Sequence, residues 1–459
     1  MSGSTLSSRA AALLEMAGEK YDIAKAKIEK KTGLDKDGKD QQERGRPIST
    51  TSLEVGNSID RPASARSMRD GEPLVLHGWT LTAPVGFRAV CKSIRETAFK
   101  TSNLPIIVSL EVHADLDQQQ VMVDIMKEEW KGLLIDEAHP TCNPDERLPR
   151  LDELFNKILI KVKKVVVDKQ DGPSVAPSSA NSLAPVPSIN DKDSLHSGNH
   201  SGSEDERSAT KKKVKICDAL SNLGIYTHSE HFVNFEAKAA KKPPHIFSIG
   251  ENQIMELHGT KKSEMFAHNR DFFMRAYPAG YRFDSSNLDP SVFWRKGVQM
   301  VALNWQKLDE GMMLNEGMFA GEQGWVLKPT GYRSDLSESI QYKTLDLKIT
   351  IYSGQHIPKP HPAEKTFHPY VKCELHVEKA EERTGEPIEG GGRAKEGEYK
   401  GKTPYGKGDH PDFGDEGIVL SFPGIGKVVE ELSFVRLVAV TLHPLSFLFL
   451  QTFRDTIFS

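Results

Sequence analysis

The sequence predicts an α/β fold of repeated βα units, interrupted once by a polar segment and followed by an all-β module. Three observations predict it. Apolar runs of strand length alternate with amphipathic helical stretches over 71–167 and again over 214–333. Between them, 168–213 is rich in Ser, Pro, Asn and Gly and almost lacks large apolar side chains, so it has too little to bury and reads as a disordered linker. From Leu345 the apolar residues recur with period two, the signature of antiparallel strands.

Residues 1–70 are polar and read as a low-complexity, disordered segment. Within it Leu14, Ala17, Tyr21, Ala24 and Ile28 recur at helical spacing among lysines, which fits either a membrane-surface helix or a solvated one. "PLVLHG" (73–78) then reads as a strand ending at His77. "GFRAVCKSIRETAF" (86–99) reads as a helix, "LPIIVSLEVH" (104–113) as a buried strand, "QQVMVDIMKEEW" (119–130) as a helix and "NKILIKVKKVVV" (156–167) as a strand. Past the linker, "LGIYTHSEHF", "PPHIFSIGENQIMEL", "DFFMRAYPAGYRFDSSN" and "GVQMVALNWQ" resume the rhythm. Neither half has enough strands to close alone, so the two are expected to form one barrel or sheet. "LDLKITIYSGQHIP" and "HPYVKCELHVE" open a sandwich over 343–440, and 441–459 is an atypical tail unlike the rest of it.

Bulk properties narrow the function classes. The net charge of −4 gives no general polyanion binder, and no nucleic-acid partner is expected. Four widely spaced cysteines without a CxxC pair disfavour a zinc site or disulfide framework and fit a reducing, cytoplasmic compartment. No run reaches the ~18 apolar residues of a membrane span, so any work on membranes is expected at their surface.

Residues at strand ends carry the chemistry in βα barrels. Here these are His77, Glu111 with His113, Lys161 and Lys163, Ser248, Arg275 and Tyr277. Cationic side chains hold phosphates, Tyr offers a flat face to a sugar-like ring, and a carboxylate can hold a hard cation. Taken singly, each has a plainer reading: a strand-end His is often structural, KxK in a strand is often a solvated face, and Glu111 could be a surface carboxylate.

The motifs "VLHGWTLT" (75–82), "LPIIVSLEVHADLDQQ" (104–119), "NKILIKVKK" (156–164), "LSNLGIYTHSEHF" (220–232), "FSIGEN" (247–252), "RAYPAGYRFDSSNLDP" (275–290), "GVQMVALNWQ" (297–306) and "GWVLKP" (324–329) resemble eukaryotic phosphoinositide-specific phospholipase C, in its fungal, delta-like form. The resemblance implies a TIM-type (β/α)8 barrel, split into X and Y halves by the linker and followed by a C2-like sandwich. It implies calcium-dependent hydrolysis of phosphatidylinositol 4,5-bisphosphate, peripherally at membranes. On this resemblance His77 matches the second of two catalytic histidines, stabilising the pentacoordinate phosphorus and helping protonate the leaving oxygen. Glu111 matches a calcium ligand that also serves as base. Lys161, Lys163, Ser248 and Arg275 match headgroup contacts, Tyr277 the residue stacking on inositol, and Trp79, Leu81 and Tyr281 an apolar ridge that dips into the bilayer.

The sequence departs from the family in defined places. It contains no motif like S-H-N-T-Y, which bears the first catalytic histidine, and none like V-E-I-D-V-W, which bears two further calcium ligands. Glu54 and Asp60 in "SLEVGNSID" have the wrong spacing to replace them, and His368 stands where calcium-binding C2 domains usually carry Asp. The expectation is an incomplete barrel, N-terminally truncated within the X half, with impaired calcium binding and turnover. A phosphoinositide-binding protein without catalysis is the alternative; a glycerophosphodiesterase-type barrel fits the later motifs less well.

Overall fold

A computed structural model describes residues 71–76, 83–164, 216–335, 337–359, 367–388, 399–440 and 447–453, the last by backbone alone. All lie in the compact unit Pro62–Ser459. The anticipated helix near residues 14–28, the linker, and His77, Trp79 and Leu81 fall outside the described residues.

The first strand differs from expectation. β1 (Leu74–Val75) is short and pairs antiparallel with β2 (Val85–Gly86), so Leu74 and Val75 do not enter the main sheet. The start of α1 (Phe87–Thr97) holds it there: the Phe87 amide donates to the Pro73 carbonyl and the Arg88 amide to Glu72 Oε1. Apolar composition marks a strand but does not choose its partner.

The main sheet has six parallel strands in sequential order: β3 (Ile106–Ser109), β4 (Ile158–Lys163), β5 (His228–Glu230), β6 (His245–Gly250), β7 (Phe273–Tyr277) and β8 (Met300–Val301). This is the order of a (β/α)8 barrel, incomplete among the described residues. β3, expected to be buried, is only partly so, because it is an edge of that sheet. The covering helices are α1, α2 (Leu116–Glu129), α3 (Asp218–Asn222), α4 (Glu251–Asp271), α5 (Pro290–Trp294) and α6 (Glu310–Phe319).

Period two along each strand separates two faces. In β4, Ile158, Ile160 and Val162 pack with Cys91, Met122 and Met126 of α1 and α2. In β6 and β7, Phe247, Ile249, Met274 and Ala276 pack against Ile254 and Met265 of α4. The intervening residues face the other way. At the bottom of that inner face Ile107, Leu159 and Phe273 meet Trp325, whose Nε1 donates to the Pro105 carbonyl at 2.8 Å.

The third region is a sandwich. β9 (Lys343–Ile351) pairs with β12 (Ile418–Val428), and a second sheet runs β11 (Lys400–Lys402), β10 (Tyr370–His376), β13 (Phe434–Val440), β14 (Phe447–Phe453). Leu345, Cys373, Leu375, Phe422 and Val435 fill its core. β14 corrects the reading of 441–459 as foreign to the sandwich: its backbone pairs antiparallel with β13, and "FLFLQTF" lacks the alternation by which a strand is recognised.

Buried charges join barrel and sandwich. Arg295, at the end of α5, makes two bonds to Glu382 of α7 (Ala380–Thr384), at 2.9 and 2.8 Å. His376 Nδ1 lies 3.1 Å from Asp289 Oδ2, and Arg436 pairs with both Glu310 and Glu374.

Candidate functional site at the C-terminal strand ends

The alternation that sends Ile160 and Val162 to the helices sends Lys161 and Lys163 to the inner face. Lys161 is only 4% exposed. Its Nζ donates to Ser229 Oγ on β5 at 2.7 Å. Burial first, and then the charge of Arg275, bring its pKa down from 10.5 to about 8. That removes the solvated-face reading for Lys161. Lys163, two residues nearer the mouth, is exposed.

Two strands further on, Ser248 and Arg275 are register partners. Ser248 Oγ is enclosed and has no hydrogen-bond partner, unusual for a buried hydroxyl. Burial holds Arg275 below its ordinary value, opposed by the fields of Tyr277 and Glu111. The guanidinium lies 5.6 Å from the centroid of the Tyr277 ring. That ring lies across Gly250, where a β-carbon would stand 3.5 Å from it.

Glu111 follows β3, and its exposed carboxylate lies 2.9 Å from His113 Nε2. Tyr281 sits in the loop after β7, which Glu251 anchors. Glu251 accepts from the Ala279 amide at 2.6 Å and from Arg282 Nε and Nη2 at 2.6 and 2.7 Å. The tip of this loop carries Phe283, 93% exposed, and the next loop carries exposed Trp305 and Leu308. Lys307 Nζ bonds the Asp284 carbonyl between them.

The structure thus brings together Lys161, Lys163, Ser248, Arg275 and Tyr277 on one face, with Glu111 close enough to act on Arg275. His77, Trp79 and Leu81 are outside the described residues. Sequence reasoning missed Ser229, the partner of Lys161, although the "THSEHF" motif contains it. It also missed Glu251, whose position within "FSIGEN" gave no sign that it would hold a loop some thirty residues away in sequence.

The described residues do not assemble a calcium cage here. Glu111 belongs to no group of three carboxylate, imidazole or thiolate ligands among them; the one such group is Asp289, Glu310 and His376, where barrel meets sandwich. Calcium takes six to eight oxygens, and one exposed carboxylate paired to an imidazole does not supply them. His368, at the sandwich, is engaged by the Gly406 carbonyl at 3.1 Å.

The comparisons agree with this architecture. Residues 62–164 match the family model "Phosphatidylinositol-specific phospholipase C, X domain", and 220–331 match its Y domain. The chain is 32% identical over 336 residues to 1-phosphatidylinositol 4,5-bisphosphate phosphodiesterase 1 of Candida albicans, covering 66% of this chain and 30% of that one. The Saccharomyces cerevisiae phosphodiesterase of the same name is 32% identical over 381 residues, covering 74% and 43%. The crystal structure of S. officinalis PLC21 superposes with a TM-score of 0.61 at 26% identity, covering 85% of this chain and 46% of that one. The chain spans about a third to a half of the length of the curated relatives it matches. Among the described residues no helix is long and apolar enough to cross a membrane. With the motifs in the family's order on a sequential parallel sheet, the chain carries the X and Y domains of the eukaryotic phosphoinositide-specific phospholipase C family.

Proposed function

We propose that the inner face formed by Lys161, Lys163, Ser248, Arg275 and Tyr277 is the headgroup pocket of a phosphatidylinositol 4,5-bisphosphate phosphodiesterase acting in lipid signalling. In this reading 71–167 and 214–333 are the two halves of one catalytic barrel, 168–213 their linker and 343–440 a C2-like domain. The observation that carries it is the buried Lys161 and the half-buried Arg275 beside the unpartnered hydroxyl of Ser248. Ammonium and guanidinium groups held in a low-dielectric pocket bind phosphate oxygens strongly and without reorganising. Tyr277 supplies a flat apolar face for the inositol ring.

His77 would stabilise the phosphorane and protonate the diacylglycerol leaving oxygen, releasing inositol trisphosphate by way of a cyclic phosphate. The exposed Tyr281, Phe283, Trp305 and Leu308 at the same mouth suit a pocket that meets its lipid at a membrane surface. That surface is the cytoplasmic one in this reading, and the protein is peripheral to it.

Calcium is the metal of this chemistry in the family, and Glu111 is the ligand assigned to it. The exposed Glu111 carboxylate, engaged by His113 and joined to no group of three ligands among the described residues, favours a second reading: headgroup binding without efficient turnover. The deciding experiment measures hydrolysis of radiolabelled phosphatidylinositol 4,5-bisphosphate in vesicles with calcium, alongside calorimetric titration of inositol 1,4,5-trisphosphate. Calcium-dependent turnover lost in His77→Ala supports the enzyme. Headgroup binding lost in Lys161→Ala with Arg275→Ala, without turnover, supports the second reading. Neither binding nor turnover overturns both.

A further inference from the structure

A second cavity, of about 310 Å³, lies away from the inner face of the sheet, where the barrel's helices meet the sandwich. α4, the end of α5, Tyr332, Ile340, Tyr342 and the residues at α7 line it. None of the headgroup residues lines it.

Its chemistry is unbalanced in a specific way. Three lining cations are already engaged: Arg295 by Glu382, Lys262 by the Arg383 carbonyl and Arg270 by the Arg333 carbonyl. The fourth, Lys296, is 5% exposed, and its ammonium makes no hydrogen bond or ion pair among the described residues. Burial, which outweighs the fields of its neighbours, brings it down to about 8, so it is still an ammonium at neutral pH. Opposite is Glu378, whose Oε2 is enclosed without a hydrogen bond and lies 4.0 Å from Arg383 Nη1. Burial raises the Glu378 pKa, which favours its neutral, hydrogen-donating form beside an incoming anion. The rest of the wall is mostly apolar, with Met265, Phe266, Ile340 and Tyr332, joined by Ser263 and Tyr342.

The enclosed Glu378 oxygen lacks a hydrogen bond, and Lys296 is a nearly buried residue whose ammonium has no partner among the described residues, so a bound group that engaged both would gain free energy. Four cations against two carboxylates on a partly apolar wall specify the sign and shape of that group. We propose that this cavity binds a small organic anion, a phosphate or carboxylate on an apolar body, with Lys296 as its principal contact. A bound anion would bridge α4 and α5 of the barrel to Glu378 and α7 of the sandwich, and so favour the docked arrangement of the two. This inference does not depend on the headgroup pocket.

The test is calorimetric titration of phenyl phosphate into the full chain carrying Lys161→Ala with Arg275→Ala, so that binding at the inner face does not confuse the readout. Phenol and inorganic phosphate are titrated in parallel. Binding of phenyl phosphate is expected to persist, to exceed that of either control, and to weaken about tenfold on adding Lys296→Met, the loss of one charge-assisted hydrogen bond. Ala267→Trp, at an exposed position on the cavity's rim, is expected to block entry and decides the matter alone if Lys296→Met does not fold. No binding, binding lost with Lys161→Ala and Arg275→Ala, phenol or inorganic phosphate binding as tightly, or indifference to both Lys296→Met and Ala267→Trp would overturn the proposal.

Discussion

Lys161 Nζ donates to Ser229 Oγ at 2.7 Å, although the strand register pairs Ser229 with Lys163. The buried lysine therefore reaches along the inner face toward the mouth, into the space between β4 and β5. Its neighbour Lys163 is left to solvent.

That relationship gives a pH dependence. The Lys161 pKa is about 8, below its ordinary value, so the ammonium is intact at pH 7 and is lost as the pH rises through about 8. Affinity for inositol 1,4,5-trisphosphate should fall between pH 7 and 9.5. Lys161→Ala should weaken binding about tenfold at pH 7 and flatten the decline. Titration calorimetry across that range checks both; an unchanged pH profile in Lys161→Ala would remove Lys161 from the pocket.

Arg282 and Glu251 make a second prediction. Their two-pronged pair is largely buried and fixes the loop that bears Tyr281. Arg282→Ala leaves a buried carboxylate without its cation, at a cost of about 3 kcal/mol. Vesicle binding should weaken with it, because Tyr281 and Phe283 lose their fixed presentation. Urea unfolding and vesicle co-sedimentation read the two effects separately.

Arg295 and Glu382 are 2% and 1% exposed, where barrel meets sandwich. Arg295→Met should destabilise by roughly 3–5 kcal/mol. The double change Arg295→Met with Glu382→Leu should recover most of that loss, because no unpaired charge remains buried. A double mutant no more stable than Arg295→Met would show that the pair is not coupled.

Stability should also fall on the acid side. His268 Nε2 lies 2.9 Å from His245 Nε2 between α4 and β6, and burial, opposed by its bond to Asn269, lowers the His268 pKa from 6.5 to about 4. The unfolded imidazole takes a proton below about 6.5, and the folded one does so only near 4. Stability is therefore lost as the pH falls through that window, by at most about 1.4 kcal/mol per pH unit for this group. His258 behaves in the same direction. Urea midpoints at pH 7 and pH 5 should differ less in His268→Gln than in the parent.

The residues of the pocket were legible because β-strand periodicity is a local property. Once "NKILIKVKK" and "FFMRAYP" are strands, Lys161 with Lys163, and Arg275 with Tyr277, must share faces. Which face was not legible: an inner cationic tier and a solvated edge have the same pattern, and the neighbouring strands and helices decide between them. The apolar run before His77 shows the opposite failure. Strand composition was present, but the partner turned out to be Val85–Gly86 rather than the parallel sheet.

By itself, then, the sequence determined the order of the elements, the family and which residues of one strand share a face, because motif and period are written along the chain. Tertiary structure alone decided that Lys161 is buried against Ser229, that Glu251 holds the Tyr281 loop, and that Lys296 lies unpaired in a cavity. Burial and pairing depend on groups tens to more than a hundred residues apart in sequence, and no local pattern encodes the solvent or the charge that such distant neighbours remove.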